Sequence, residues 1–186
     1  MNYLKKSMYI LAEHLAFIIV TLMISSALSF ALKSNTGSVI LSTITAFLYL
    51  SSVYTHYWHE GAKAYRTYKV AARHSEQPMP PFNVFTAFTW GIPSAVIGVS
   101  LAVAAFAAGG IAVPIVNVYN LSFMAFVTQK GRAVSLAINL FVGILPMLSA
   151  GFGYMVGKTG FSISEKYLPR LIYAKKNTNS SSGSRR

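Results

Sequence analysis

The sequence predicts an all-α integral membrane bundle of four transmembrane helices, and three observations carry that prediction. Apolar residues make up 54% of the 186 positions and charged residues only 11%, where a soluble domain carries about 25% charged. Mean hydropathy is +0.50, too high for a water-facing surface or for intrinsic disorder. The apolar residues are also gathered into uncharged runs of roughly 20, the length that crosses a hydrocarbon core as a helix; none of the residues between Glu76 and Lys130 is charged.

The first expected span covers residues 12–32, with Lys5 and Lys6 before it and Lys33 after. A cleaved signal peptide also begins with basic residues, and Ala27-Leu28-Ser29 is a weak small-x-small site. The apolar stretch is longer than the usual h-region and Glu13 stands at its start, so it reads as a retained span. A polar turn, Lys33 to Ser38, leads to the second span, 39–57. That span is rich in β-branched residues, which a membrane helix tolerates because no water competes for its backbone.

A polar stretch, 59–81, follows, with four Lys/Arg and two Glu. Trp58, Gly61, Tyr65, Tyr68 and Ala72 recur at helical spacing, with Lys63, Arg66, Lys69 and Arg73 as a basic stripe beside them. This predicts an amphipathic inner-face helix after the second span. Trp58 and Tyr65 would sit at the headgroup level, and Lys63, Arg66, Lys69 and Arg73 would reach anionic inner-leaflet lipids. Such a stripe can also bind RNA, but the same residues already serve to orient the chain, and no nucleic-acid partner is expected. Pro78-Met79-Pro80-Pro81 ends any helix, since proline lacks the N–H and clashes with the preceding turn.

The third span is 85–108 and Gly109-Gly110 breaks it. Residues 111–127 are too apolar for an ordinary loop yet hold Pro114, Asn117 and Asn120. They fit either an interfacial helix or a re-entrant dip, non-helical backbone at membrane depth being permitted only where protein buries it or it lines a cavity. The fourth span is 133–156. Residues 1–174 thus form one domain, and 175–186 read as a disordered basic tail.

Orientation fixes the number of spans. The chain has 16 Lys and Arg against 4 acids, all Glu, for a net charge of +12. Four spans with both termini cytoplasmic place 13 Lys/Arg inside and 3 outside, whereas a fifth span across 111–127 gives 8 on each side. The positive-inside rule selects four. The expected localisation is multi-pass, in the cell membrane.

Small residues mark where helices approach. Ser149, Gly153 and Gly157 lie four apart on the fourth span, and Gly98 with Ala102, then Ala104 with Ala108, on the third. Pro93 and Pro146 are candidate kinks.

Chemistry is sparse. There is no Cys, hence no thiolate nucleophile or thiolate metal site, and no Walker A, G-x-S-x-G or H-E-x-x-H motif. One polar constellation stands out: Glu13 and His14 at the expected inner end of the first span, His56, His59 and Glu60 at that of the second. Glu13, His14, His56 and Glu60 form a candidate metal site, imidazole and carboxylate being the ligand pair for a divalent transition metal; proton relay is the other chemistry open to them. The bland alternative is that they mark the water interface. No histidine falls in the middle of an expected span, so no haem pair is offered and no cofactor is expected.

The chain therefore reads as a non-enzymatic accessory or structural subunit of a membrane complex, or a small homo-oligomer, with the bilayer and a membrane-protein partner or itself as partners. The alternative is a small channel or transporter that uses 111–127 as a re-entrant element.

Overall fold

The computed structural model describes residues 3–28, 35–127 and 132–160. Among these there is no strand. Six helices follow in order: α1 (Tyr3–Leu28), α2 (Asn35–His74), α3 (Thr86–Ala108), α4 (Ala112–Tyr119), α5 (Met124–Val127) and α6 (Arg132–Thr159), with a 3-10 turn, Leu121–Phe123, between α4 and α5. Four of them, over Tyr3–Leu28, Thr36–His74, Thr86–Ala108 and Ala133–Thr159, are long and apolar enough to cross a membrane. The expected tail, 175–186, the connections around Lys33 and Lys130, and the segment after Gly160 lie outside the described residues.

α2 is a single helix of 40 residues, continuous from the second expected span through the basic stripe. Some of its hydroxyl side chains bond back to carbonyls of their own helix: Thr43 to Val39 O at 2.8 Å and Thr67 to Lys63 O at 3.1 Å. It stops at His74, before the prolines, and Ser75 Oγ then donates to Gln77 O at 2.6 Å to start the turn.

α6 lies between α2 and α3 and makes both main seams through small residues. Toward α2, a Cβ on Gly153 would collide with the Tyr54 carbonyl, one on Gly157 with the Trp58 carbonyl, and one on Gly61 with the backbone of Tyr154. Ser149 continues this stripe, its hydroxyl donating to Leu50 O at 2.7 Å. Toward α3, a Cβ on Gly98 would fall 2.8 Å from the Cα of Gly143. Real Cβ atoms do not come so close, so these helices meet backbone to backbone. Ala102 is buried in the third helix, but Ala104 and Ala108 are exposed; only the first of the two alanine-bearing pairs on that helix serves a seam within the bundle.

Prolines sit inside α3 and α6 at Pro93 and Pro146. A proline leaves the carbonyl four residues earlier without its helical donor. For Pro93 that is Thr89 O, and the Tyr3 hydroxyl of α1 donates to it at 2.7 Å. The packing of α1 on α3 thus uses a bond that the helix itself gave up.

The core at this end is aromatic. Tyr57, Trp90 and Tyr154 are buried together, with ring centroids 5.8 Å and 5.2 Å apart around Trp90. The Lys6 ammonium lies 3.8 Å over the Trp90 ring and 3.1 Å from the Glu60 carboxylate.

The seam gives a direct stability test. Gly153→Leu forces the Tyr54 backbone away and should cost about 3 kcal/mol, the upper part of the range for overpacking. Ala107→Leu, on the exposed face of α3, should stay within about 0.5 kcal/mol of the parent. Unfolding of the purified protein in detergent measures both.

Candidate functional site

The chain reverses at the end of α3. Gly109 and Gly110 adopt φ of 61° and 51°, the left-handed region open to glycine without steric cost. Hydrogen bonds from Ala112 N to Gly109 O and from Val113 N to Gly110 O, at 3.1 and 3.4 Å, then start α4. Pro114 falls in its first turn, where the missing N–H has no helical acceptor to lose. α4 runs for only 8 residues. At Asn120 the backbone leaves the α-helical path: Asn120 N still donates to Val116 O at 2.9 Å, and Phe123 N then donates to Asn120 O at 2.8 Å to close the 3-10 turn. Residues 111–127 therefore form a broken helix rather than one amphipathic helix.

This break is buried inside the bundle. Asn120 is 1% exposed. Each neighbouring helix supplies a polar partner for the segment. From α1, His14 Nε2 lies 3.0 Å from Tyr119 O, and Thr21 Oγ1 lies 3.0 Å from Ser122 Oγ. From α2, Ser42 Oγ accepts from Ala125 N at 3.3 Å, and Thr45 Oγ1, whose one proton is shared with Leu41 O, lies 3.3 Å from Ser122 O. On α3, Ser94 O accepts the Tyr119 hydroxyl at 3.3 Å. On α6, Asn139 Oδ1 accepts from Asn120 Nδ2 at 2.6 Å.

His14 is the link between α1, α2 and α4. Its other nitrogen, Nδ1, is 2.9 Å from the Tyr49 hydroxyl. A backbone carbonyl can only accept, so Nε2 of the neutral ring must carry the proton. Nδ1 is then the acceptor and Tyr49 the donor. The ring is 5% exposed, and both of its nitrogens are engaged. α1 begins at Tyr3 rather than at residue 12, so His14 lies about 16 Å along the helix from one end and about 21 Å from the other. The sequence reading had placed it at the helix end.

The other members of the candidate metal site go elsewhere. Glu13, on the neighbouring face of α1, accepts at Oε1 from the Ser52 hydroxyl; its Oε2 is buried with no partner. His56 stacks on Tyr9 with centroids 4.0 Å apart. Glu60 pairs with Lys6 at 3.1 Å. Among the described residues, no three His or acidic side chains gather as a metal-ligand set. His56 and His59 instead line an open furrow between α1 and α2, with Ser52, Thr55, Phe17 and Val20.

The surface residues on α2 divide in two. Lys63, Arg66, Lys69 and Arg73 are exposed. Trp58 and Tyr65 are half-buried, and Tyr65 packs on Phe82 at 5.2 Å, in the strap that leads to α3. The Tyr68 hydroxyl holds that strap by donating to Pro80 O at 3.0 Å.

Two cavities flank the broken segment, and among the described residues neither has an ionisable one in its lining. One, about 280 Å³, lies against α1 and α2 and is edged by Thr21, Ser25, Ser38, Ser42 and Thr45. The other, about 460 Å³, lies against α3 and α6 and carries Asn117, Ser135 and Asn139. Sequence reasoning noted Asn117 and Asn120 as oddities in an apolar run, but not Asn139, Tyr49 or Ser122. The signal was there for Asn139, an amide in an uncharged run. No family model, curated protein or solved structure matches this chain.

The bonds around His14 are measurable. His14→Ala leaves the Tyr119 carbonyl and the Tyr49 hydroxyl without partners and should cost about 2 kcal/mol; Tyr49→Phe loses one bond and should cost about 1 kcal/mol. The double variant should fall short of the sum by about 0.6 kcal/mol, the average for hydrogen bonds between membrane helices, and by no more than about 1.7 kcal/mol. Additive losses would mean that the pair does not interact.

Proposed function

We propose that the protein is a small, non-enzymatic membrane channel or transporter in which residues 111–127 are a re-entrant element. The observation that carries this is the helix break at Asn120, buried beside the middle of α1 and bonded through Tyr119 O to His14. Interrupted helices inside a membrane bundle are the usual means of building a solute or ion site, because they expose backbone groups to the translocated species. A histidine at membrane depth is costly and is by default a functional residue. A bundle that only had to hold a partner would not need either.

On this reading the outer face carries both cavities, and both termini are cytoplasmic. The exposed stripe Lys63, Arg66, Lys69 and Arg73 extends α2 on the inner side and meets anionic lipid of the cell membrane. The four residues Glu13, His14, His56 and Glu60 serve separate contacts on α1 and α2.

An accessory subunit remains the competing class. It draws on the lack of any reaction motif. Gly98, Gly153 and Gly157 meet other helices of the same chain, so self-association would use exposed apolar faces such as the one that carries Ala104 and Ala108.

The two classes separate by experiment. The purified protein alone, in liposomes, should raise permeability above that of protein-free liposomes for at least one member of a panel of small uncharged solutes, potassium and chloride. Mass spectrometry after purification in mild detergent should find this chain without a stoichiometric membrane partner. No added permeability to any member, with such a partner present, contradicts the transport reading.

A further inference from the structure

The geometry points to a solute site in the cavity between α3, α4 and α6, and to small uncharged molecules bearing N–H or O–H donors (amides, ureas and short polyols) as its ligands. The inference rests on the transport reading and names the substrate class.

Four observations carry it. The first is size: about 460 Å³ falls within the range of small-molecule sites. The second is charge. The chain has a net charge of +12, yet among the described residues none that lines this cavity is ionisable. A dissolved ion would give up its hydration shell and meet no opposite charge among them, a cost that an uncharged solute does not face. The third is the kind of polar group. Asn117 and Asn139 are carboxamides, each able to donate and accept, in a wall that is otherwise apolar apart from Ser135. Such a wall suits a ligand with a few hydrogen-bonding groups on a small carbon frame.

The fourth is an unsatisfied acceptor. Asn120, which is not among the lining residues, donates to Asn139 through Nδ2, and its own Oδ1 is buried and has no partner. Buried polar groups are nearly always bonded. The Asn120–Asn139 pair is thus short of one donor, which an N–H or O–H group reaching it past the lining would supply. The cavity on the other side of the broken segment repeats the pattern with hydroxyls: Thr21, Ser25, Ser42 and Thr45 edge it, again with no ionisable residue among the described ones. Both faces of residues 111–127 thus offer uncharged hydrogen-bonding surface.

The test uses the full chain in proteoliposomes, with stopped-flow light scattering after an osmotic step of urea, acetamide or glycerol, and potassium and chloride fluxes as the ionic arm. The wild type is expected to move at least one uncharged probe faster than protein-free liposomes. Asn117→Leu should slow that probe about tenfold, the factor corresponding to roughly one hydrogen bond. Ala105→Trp, which fills the cavity from α3, should bring the rate down to that of protein-free liposomes. Phe141→Leu, on the exposed face of α6, should leave it unchanged and controls for reconstitution. Thermal unfolding of each variant confirms that it is folded. If the wild type moves potassium or chloride but no uncharged probe, the inference fails and the transport reading stands. If uncharged probes move at the wild-type rate through folded Asn117→Leu and Ala105→Trp, the cavity is not their site. If nothing moves, both fail together.

Discussion

The bond from His14 to the carbonyl of Tyr119 is the constraint on which the rest of this arrangement depends. A helix that stops among apolar side chains leaves its last carbonyls without donors, and each such group is expensive unless something else bonds it. The helical path of residues 111–127 is interrupted at Asn120 and resumes at Met124 after the 3-10 turn. The segment is tolerable in the bundle only because α1, α2, α3 and α6 each supply a polar group to it. His14 does most, because it joins α1 to α4 and to Tyr49 of α2 in one step. Remove the imidazole and two buried groups lose their partner at once.

Room for that segment comes from the opposite side of the bundle. The glycines of α6 let α2 and α3 approach it backbone to backbone, which draws those three helices into a tight group. α1 is held to this group largely by side chains: Tyr3 to Thr89 O, Lys6 to Glu60, Ser52 to Glu13 and Tyr49 to His14. A helix attached by discrete polar contacts leaves space beside it, and the 3-10 turn and α5 occupy part of it. The hydroxyl-edged cavity is what remains. Close packing on one side and polar attachment on the other thus produce the same outcome, a bundle with uncharged hydrogen-bonding surface around a broken helix.

Much of the fold was legible in the sequence, for reasons that can be named. Four apolar helices followed from the runs, and the third and fourth lie within a few residues of their expected limits, since Gly109-Gly110 and the charges around residues 130–132 punctuate them. α1 was harder. Lys5 and Lys6 set the expected span to start after them, at residue 12; the helix itself extends back to Tyr3, and Lys6 on it pairs with Glu60 over the Trp90 ring. That shift carried Glu13 and His14 from the expected end of a helix to its middle and set His14 apart from His56 and Glu60. Helical spacing along α2 was read well, but spacing within one helix says nothing of which way a second helix turns its side chains. The partners of His14 lie 35 and 105 positions away, beyond any local pattern. The ambiguity of residues 111–127 was physical as well: an apolar run with two asparagines suits a surface or a break, and only the buried partners from four helices distinguish them.

The depth of residues 111–127 in a bilayer tests the account most directly. The chain has no cysteine, so single cysteines at the exposed positions Ile111, Val118 and Phe126 can each carry a spin label without a background. The relative access of oxygen and of a water-soluble nickel chelate reports how deep each label lies. The account predicts that Val118 lies well below the headgroups, with Ile111 and Phe126 both shallower. Equal depths at the headgroup level for all three would contradict it and leave the segment lying on the surface.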